Sequence, residues 1–191
     1  MLEIKHKHFI LHKPFGYLSQ LVNNQNKRKN KRLLGELYPF PAGTMAIGRL
    51  DENSEGLLFL TTNGKVSEAI RSAKVEKEYY AQVDGIITPE AIKKLQSGVA
   101  IGIHGKQYVT KPCKVKSIDS VVAFPFADRK VRDARHGPKS WVSIILTEGK
   151  FRQVRKMTAA VGFPTLRLVR IRIGDTLLSL KPGMVKEVSD F

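Results

Sequence analysis

The apolar runs of this chain are short, and most of the links between them are too short to hold a helical crossover. Parallel strands need a connection of about a dozen residues or more, whereas antiparallel neighbours need only a turn. A chain punctuated this way is expected to build a mainly antiparallel central sheet with a few flanking helices, an α+β fold. Residues 8–12 read as a strand that stops at Lys13-Pro14, because proline has no N–H to give to a ladder. Residues 56–62 read as a buried strand closed by the turn pair Asn63-Gly64. A short helix is expected over 65–73 and an alternating, half-buried strand over 79–84. Thr88-Pro89-Glu90 carries three helix-start signals, namely a capping hydroxyl, a first-turn proline and an acid at the positive end of the dipole. That helix should end at Gly98. Strands are expected near 99–103, 106–110, 113–118, 141–147 and 165–173, with short ones near 176–180 and 185–188. A helix over 151–161 has Val154, Met157 and Val161 as its apolar stripe and ends at Gly162 and Pro164. No repeat and no linker interrupts the pattern, so residues 1–191 read as a single domain.

Charge narrows the range of partners. The chain carries 33 Lys and Arg against 17 Asp and Glu, a formal net charge of +16. The excess is uneven: residues 125–172 hold twelve basic side chains against three acidic ones, and eight of the twelve are arginine. Arginine presents a planar fork that fits phosphate and base edges. A second cluster, Lys27-Arg28-Lys29-Asn30-Lys31-Arg32, reads as a basic loop able to follow a nucleic-acid backbone. No apolar run approaches the roughly 18 residues of a membrane span. The polar N-terminus does not read as a signal peptide, and the single Cys113 excludes an intramolecular disulfide. The expectation is a cytoplasmic protein with a polyanionic partner and no membrane association.

The segment from Gly48 to Leu58 is the strongest candidate for chemistry. Two glycines bracket the polar loop Arg49-Leu50-Asp51-Glu52-Asn53-Ser54-Glu55, which runs directly into an apolar strand. Loops held by a rigid strand are where reactive groups usually sit. Asp51 is the leading carboxylate, with Glu52 and Glu55 as alternatives. The same residue types also suit a plain turn.

Gly48-Arg49-Leu50-Asp51 followed by Ser54-Glu55-Gly56-Leu57-Leu58 resembles the signature of the RsuA-type ribosomal RNA pseudouridine synthases. Four further segments agree, in the family's order. They are Lys13-Pro14-Phe15-Gly16, Lys77-Glu78-Tyr79-Tyr80, the run from Glu148 to Met157, and the run from Val161 to Leu168. The match spans roughly residues 9–174, and its details are most similar to the large-subunit synthases of the E subgroup. Many relatives carry an S4-like RNA-binding domain ahead of the first motif. Here the first strand begins so early that this domain is expected to be absent.

The resemblance implies a cofactor-independent isomerase that turns one uridine of large-subunit ribosomal RNA into pseudouridine after the base leaves the stack. Asp51 falls on the family's catalytic aspartate, Tyr79 on a tyrosine held against the target base, and Arg155 on the basic residue that pairs with the aspartate. Arg49 falls on an arginine that helps open the RNA at the flipped site. The periodicity of the 151–161 helix places Arg155 beside its apolar stripe. Lys13, Lys27, Arg28, Lys150, Arg152, Arg167 and Arg170 are the expected RNA contacts. Neither a metal nor an organic cofactor is expected, and the chain is read as a monomer. Residues 119–139 match the family least and are a candidate substrate-specific contact loop. Two other readings remain open on the sequence. One is a non-catalytic RNA-binding or ribosome-assembly module; the other is a synthase acting on another RNA such as tRNA.

Overall fold

A computed structural model describes residues 5–22, 30–72, 75–118, 129, 131 and 133–191. The chain divides into two compact units, one formed by residues 1–75 and 175–191 and the other by residues 76–174.

The first unit begins with β1 (His8–Lys13), followed by β2 (Tyr17–Leu18), β3 (Arg32–Leu33), β4 (Met45–Ile47), β5 (Glu55–Thr61) and the helix α1 (Gly64–Ser72). The proline signal holds, since β1 ends at Lys13, directly before Pro14. β1 and β5 pair antiparallel, with Phe9 opposite Leu60 and Leu11 opposite Leu58. All seven residues of β5 are buried, which accounts for its unbroken apolar run. β4 pairs antiparallel with β5, so the 48–54 segment is the loop of a hairpin. Phe9, Leu11, Leu34, Leu58 and Leu60 form the core of this unit. β2 and β3 pair in parallel, a contact between short segments that the sequence pattern did not indicate.

The second unit contains β6 (Lys77–Asp84), α2 (Pro89–Ser97), β7 (Ala100–Ile103), β8 (Lys106–Val109), β9 (Lys114–Ile118), β10 (Lys139–Leu146), α3 (Gln153–Ala160) and β11 (Thr165–Ile173). Four of its strands run side by side in the order β11-β6-β10-β9, and every pairing is antiparallel. This is the α+β architecture expected from the short links. α2 starts as its sequence indicates: the Thr88 Oγ1 accepts from the Ala91 N–H at 3.2 Å, and Pro89 fills the first turn. Gly98 ends it at φ +97°, where a Cβ would lie 2.2 Å from the Thr110 carbonyl oxygen. No other residue fits that spot. α2 lies against β9, and α3 against β7 and β11. Val154 and Met157 of α3 join Ala81, Val83, Ile144, Leu146 and Leu168 in the core, with Val161 packed at its margin.

The chain returns to the first unit through β12 (Thr176–Leu177) and β13 (Val185–Val188). β13 pairs antiparallel with β1. β12 is two residues long where the pattern suggested five.

Candidate active site and RNA-contacting residues

The loop that carries Asp51 is braced from below at three points. Ser19 and Leu50 are both buried. The Ser19 hydroxyl donates to the Leu50 carbonyl at 2.8 Å and accepts from the Leu50 N–H at 3.0 Å. One side chain thus satisfies both backbone groups of the residue directly before Asp51. The Ser54 N–H donates to the Asp51 carbonyl at 3.0 Å, which closes the turn. The Glu52 carbonyl accepts from the Gly16 N–H at 2.9 Å. Gly48 sits at φ +73°, in the left-handed region that a glycine enters without penalty.

Lys13 is the third brace. Its side chain is fully buried, and its ammonium donates to the carbonyls of Pro14 (2.9 Å), Tyr17 (2.6 Å) and Glu52 (3.4 Å). A buried charge must be matched by polar partners, and here backbone oxygens supply them. Lys13 therefore ties the turn after β1 to the Asp51 loop. The sequence marks Lys13 as an RNA contact, and the structure places its charge beneath the surface.

The carboxylates of this loop have distinct surroundings. The Asp51 side chain is half-buried. Glu52 forms an ion pair with Lys31 at 2.7 Å. Glu55 is buried within β5. Arg49 is exposed on the same loop.

Tyr79 and Arg155 belong to the second unit. Tyr79 is half-buried on β6, packs on the core cluster, and lies opposite Ile144 of β10 and Arg170 of β11. Arg155 lies on α3, half-buried beside Val154, and its Nη1 donates to the Thr165 carbonyl at 3.3 Å. The Thr158 and Thr165 hydroxyls meet at 2.7 Å, which fixes α3 to the start of β11.

The cations of β11 are spent inside the protein. Arg167 and Arg170 are each 4% exposed. Register shifts between Thr165 and Arg167 and between Arg170 and Arg172 break the simple alternation of the strand. Both arginines, expected from the sequence to contact RNA, are buried in this structure, as Lys13 is. Burial and the neighbouring Arg170 charge hold the Lys77 ammonium below its usual pKa. Arg172 donates through Nε to Glu78 and through Nη2 to Glu76, both at 3.0 Å, and through Nη1 to the Gly174 carbonyl at 2.7 Å. This fork joins the ends of β6 and β11.

Lys150 and Arg152 lie in the turn that leads into α3. Lys150 is exposed, with Nζ 4.9 Å from the centre of the Tyr108 ring. Arg152 is half-buried and caps α3 in a left-handed conformation, φ 52°. Glu148 organises this turn. It accepts from the Tyr108 hydroxyl, from the Lys111 N–H at 3.0 Å and from the Gln153 amide. Partial burial raises its pKa, but those hydrogen bonds and the Lys111 charge outweigh burial and hold the carboxyl below its ordinary value. Lys27 and Arg28 lie outside the described residues, as do positions 119–128, 130 and 132 of the proposed contact loop.

Sequence reasoning missed Ser19 and Glu148. Ser19 is 31 positions from the residue it braces, and a lone serine carries no signal. Glu148 stood within a recognised motif, but its partners Tyr108 and Lys111 come from a distant hairpin arm.

The pattern of the family described as RNA pseudouridylate synthase matches residues 7–160. This chain belongs to the RNA pseudouridylate synthase family. The family makes it an isomerase by reaction type. It is 41% identical over 168 residues to the ribosomal large subunit pseudouridine synthase E of Xanthomonas axonopodis pv. citri, a match covering 87% of this chain and 85% of that protein. The ribosomal large subunit pseudouridine synthase E of Vibrio parahaemolyticus is 38% identical over 185 residues, covering 95% of this chain and 74% of that protein. Among solved structures, a pseudouridylate synthase superposes with a TM-score of 0.76 at 24% identity, covering 98% of this chain and 72% of that one. That likeness concerns the fold. Among the described residues, no helix of this pseudouridine synthase is long and apolar enough to cross a membrane.

Proposed function

We propose that this chain converts a specific uridine of large-subunit ribosomal RNA to pseudouridine, with Asp51 as the catalytic carboxylate. The observation that carries this reading is the similarity, over most of both chains, to synthases named for the large ribosomal subunit. The braced loop supports the assignment of Asp51. Isomerisation breaks the bond between the ribose carbon and N1 of the base, turns the base, and forms a bond to C5; a proton leaves C5 and one is gained at N1. No atom enters or leaves overall, as an isomerisation requires. A carboxylate serves this sequence as a nucleophile at the sugar or as a base, and either role needs it held still.

In this reading Tyr79 lies against the displaced base, and Arg155 is the basic residue that serves the aspartate. Arg49, Lys150 and Arg152 meet the RNA, together with the 27–32 cluster that includes Lys27 and Arg28. Residues 1–191 act as one catalytic domain, as a monomer, in the cytoplasm. The target must be unstacked before the loop reaches it. Mapping pseudouridines in the ribosomal RNA of cells with and without the gene tests the substrate. One large-subunit position should revert to uridine in its absence. A full set of large-subunit pseudouridines, with a lost site in tRNA instead, would refute the assignment.

A further inference from the structure

The turn before α3 and the β7–β8 hairpin meet at a solvent-facing aromatic pair. Phe151 is 57% exposed, an unusual state for a phenylalanine, and stacks with the exposed His104 at a centroid distance of 6.0 Å and an angle of 24°. One ammonium lies against the pair. The Lys156 ammonium lies 4.9 Å from the Phe151 ring centre and donates to the Gly102 carbonyl at 2.7 Å, tying helix to hairpin. Lys150 and Lys106 are exposed alongside in sequence. A second observation is independent of composition. Among the described residues, His104 and Arg152 are the non-glycine residues at positive φ, 49° and 52°. One is a member of the pair and the other is next to Phe151. His104 shares the two-residue turn of the β7–β8 hairpin with Gly105 at φ +77°, a turn whose central residues both take positive φ, so this member of the pair is carried on backbone fixed by the hairpin.

An exposed aromatic stack with an ammonium against it, on a strongly basic chain, matches the requirements of an unpaired nucleic-acid strand. Base faces add to the stack, and phosphates meet the cations. A duplex hides its base faces and can use only the charge. We infer that the His104–Phe151 pair is a stacking platform for an unpaired nucleotide of the RNA substrate. This rests on the proposed action on RNA and adds where the chain selects single-stranded over paired RNA.

The test uses the full chain and two fluorescent probes, a single strand of about ten adenosines and an RNA duplex of the same length. The single strand contains no uridine, so turnover does not intrude. Phe151→Ala, Phe151→Leu and His104→Ala should each weaken single-strand binding, the Phe151 variants by about tenfold. Phe151→Trp should bind as the unaltered chain does, and none should change duplex affinity. Phe151→Leu keeps an apolar side chain, so its loss isolates stacking from mere burial. Undiminished single-strand affinity in Phe151→Leu, or an equal loss on the duplex, overturns the platform. Pseudouridine formation by the unaltered chain is scored separately. Its absence would overturn the enzymatic reading, whereas the ratio of single-strand to duplex affinity in the variants bears on the platform alone.

Discussion

Ser19→Ala removes one oxygen and exposes the logic of the Asp51 loop. The Ser19 hydroxyl makes two hydrogen bonds to Leu50, at 2.8 and 3.0 Å, and both residues are buried, at 8% and 7% exposure. Alanine leaves the Leu50 N–H and carbonyl without that partner. An unsatisfied buried polar group costs about 1–3 kcal/mol, so two of them with partial relaxation cost about 2–4 kcal/mol. That is a large share of a typical folding stability of roughly 5–15 kcal/mol. For a chain of this size it corresponds to a fall in Tm of about 4–16 °C. The same change loosens the backbone directly before Asp51. Urea unfolding gives the first quantity, and single-turnover pseudouridine formation at saturating RNA gives the second. The rate should fall at temperatures where the variant is still folded, while RNA affinity is kept. A variant that loses less than about 1 kcal/mol and reacts at the original rate would refute the bracing role.

The remaining predictions concern charge and protonation. Lys13→Met should destabilise the protein and leave the salt dependence of RNA binding unchanged, because the ammonium is buried on carbonyls. Lys150→Gln should instead lower the slope of log affinity against log salt by roughly 0.7–0.9, the value for one lost phosphate contact; a titration of binding between low and moderate salt distinguishes them. Glu148 has a depressed pKa in the folded chain, so its stabilising contribution is present above its ordinary value of 4.5 and is lost as pH falls through the folded value. Glu148→Gln should therefore flatten the acid limb of the stability curve, followed by thermal melts across pH. Burial, with the Glu148 charge nearby, pushes the Cys113 thiol up to about 11. Alkylation at pH 8 should accordingly be far slower than for an unfolded control and should accelerate only near that pH.

Local signals in the sequence were sufficient for most of the elements. The Thr88-Pro89 start and Gly98 stop of α2 are backbone requirements that residue types disclose without tertiary context. The apolar stripe of α3 likewise placed Val154 and Met157 in the core and Arg155 at its edge. Charge counting does not distinguish buried from exposed cations. Lys13, Arg167 and Arg170 contribute to the +16 total but lie inside the protein, and Arg172 is consumed by Glu76 and Glu78. Formal charge says nothing about exposure, and the register shifts in β11 keep a period-two pattern from assigning its faces. Ser19, and the partners of Glu148, depend on contacts between residues far apart in the chain, which no local pattern encodes.

The motif around Asp51 was legible because glycines, a turn and an apolar strand stand together in one short stretch. What the structure adds is the support beneath it: Lys13 and Ser19 hold the loop from the inside, and Glu52 is diverted to Lys31. The central claim is that the Asp51 carboxylate carries the chemistry. Asp51→Asn preserves size and removes the negative charge, and it should be assayed on a large-subunit RNA fragment for both product and binding. Asp51→Asn should lose pseudouridine formation with RNA affinity retained; product formed at the original rate would remove Asp51 from the chemistry.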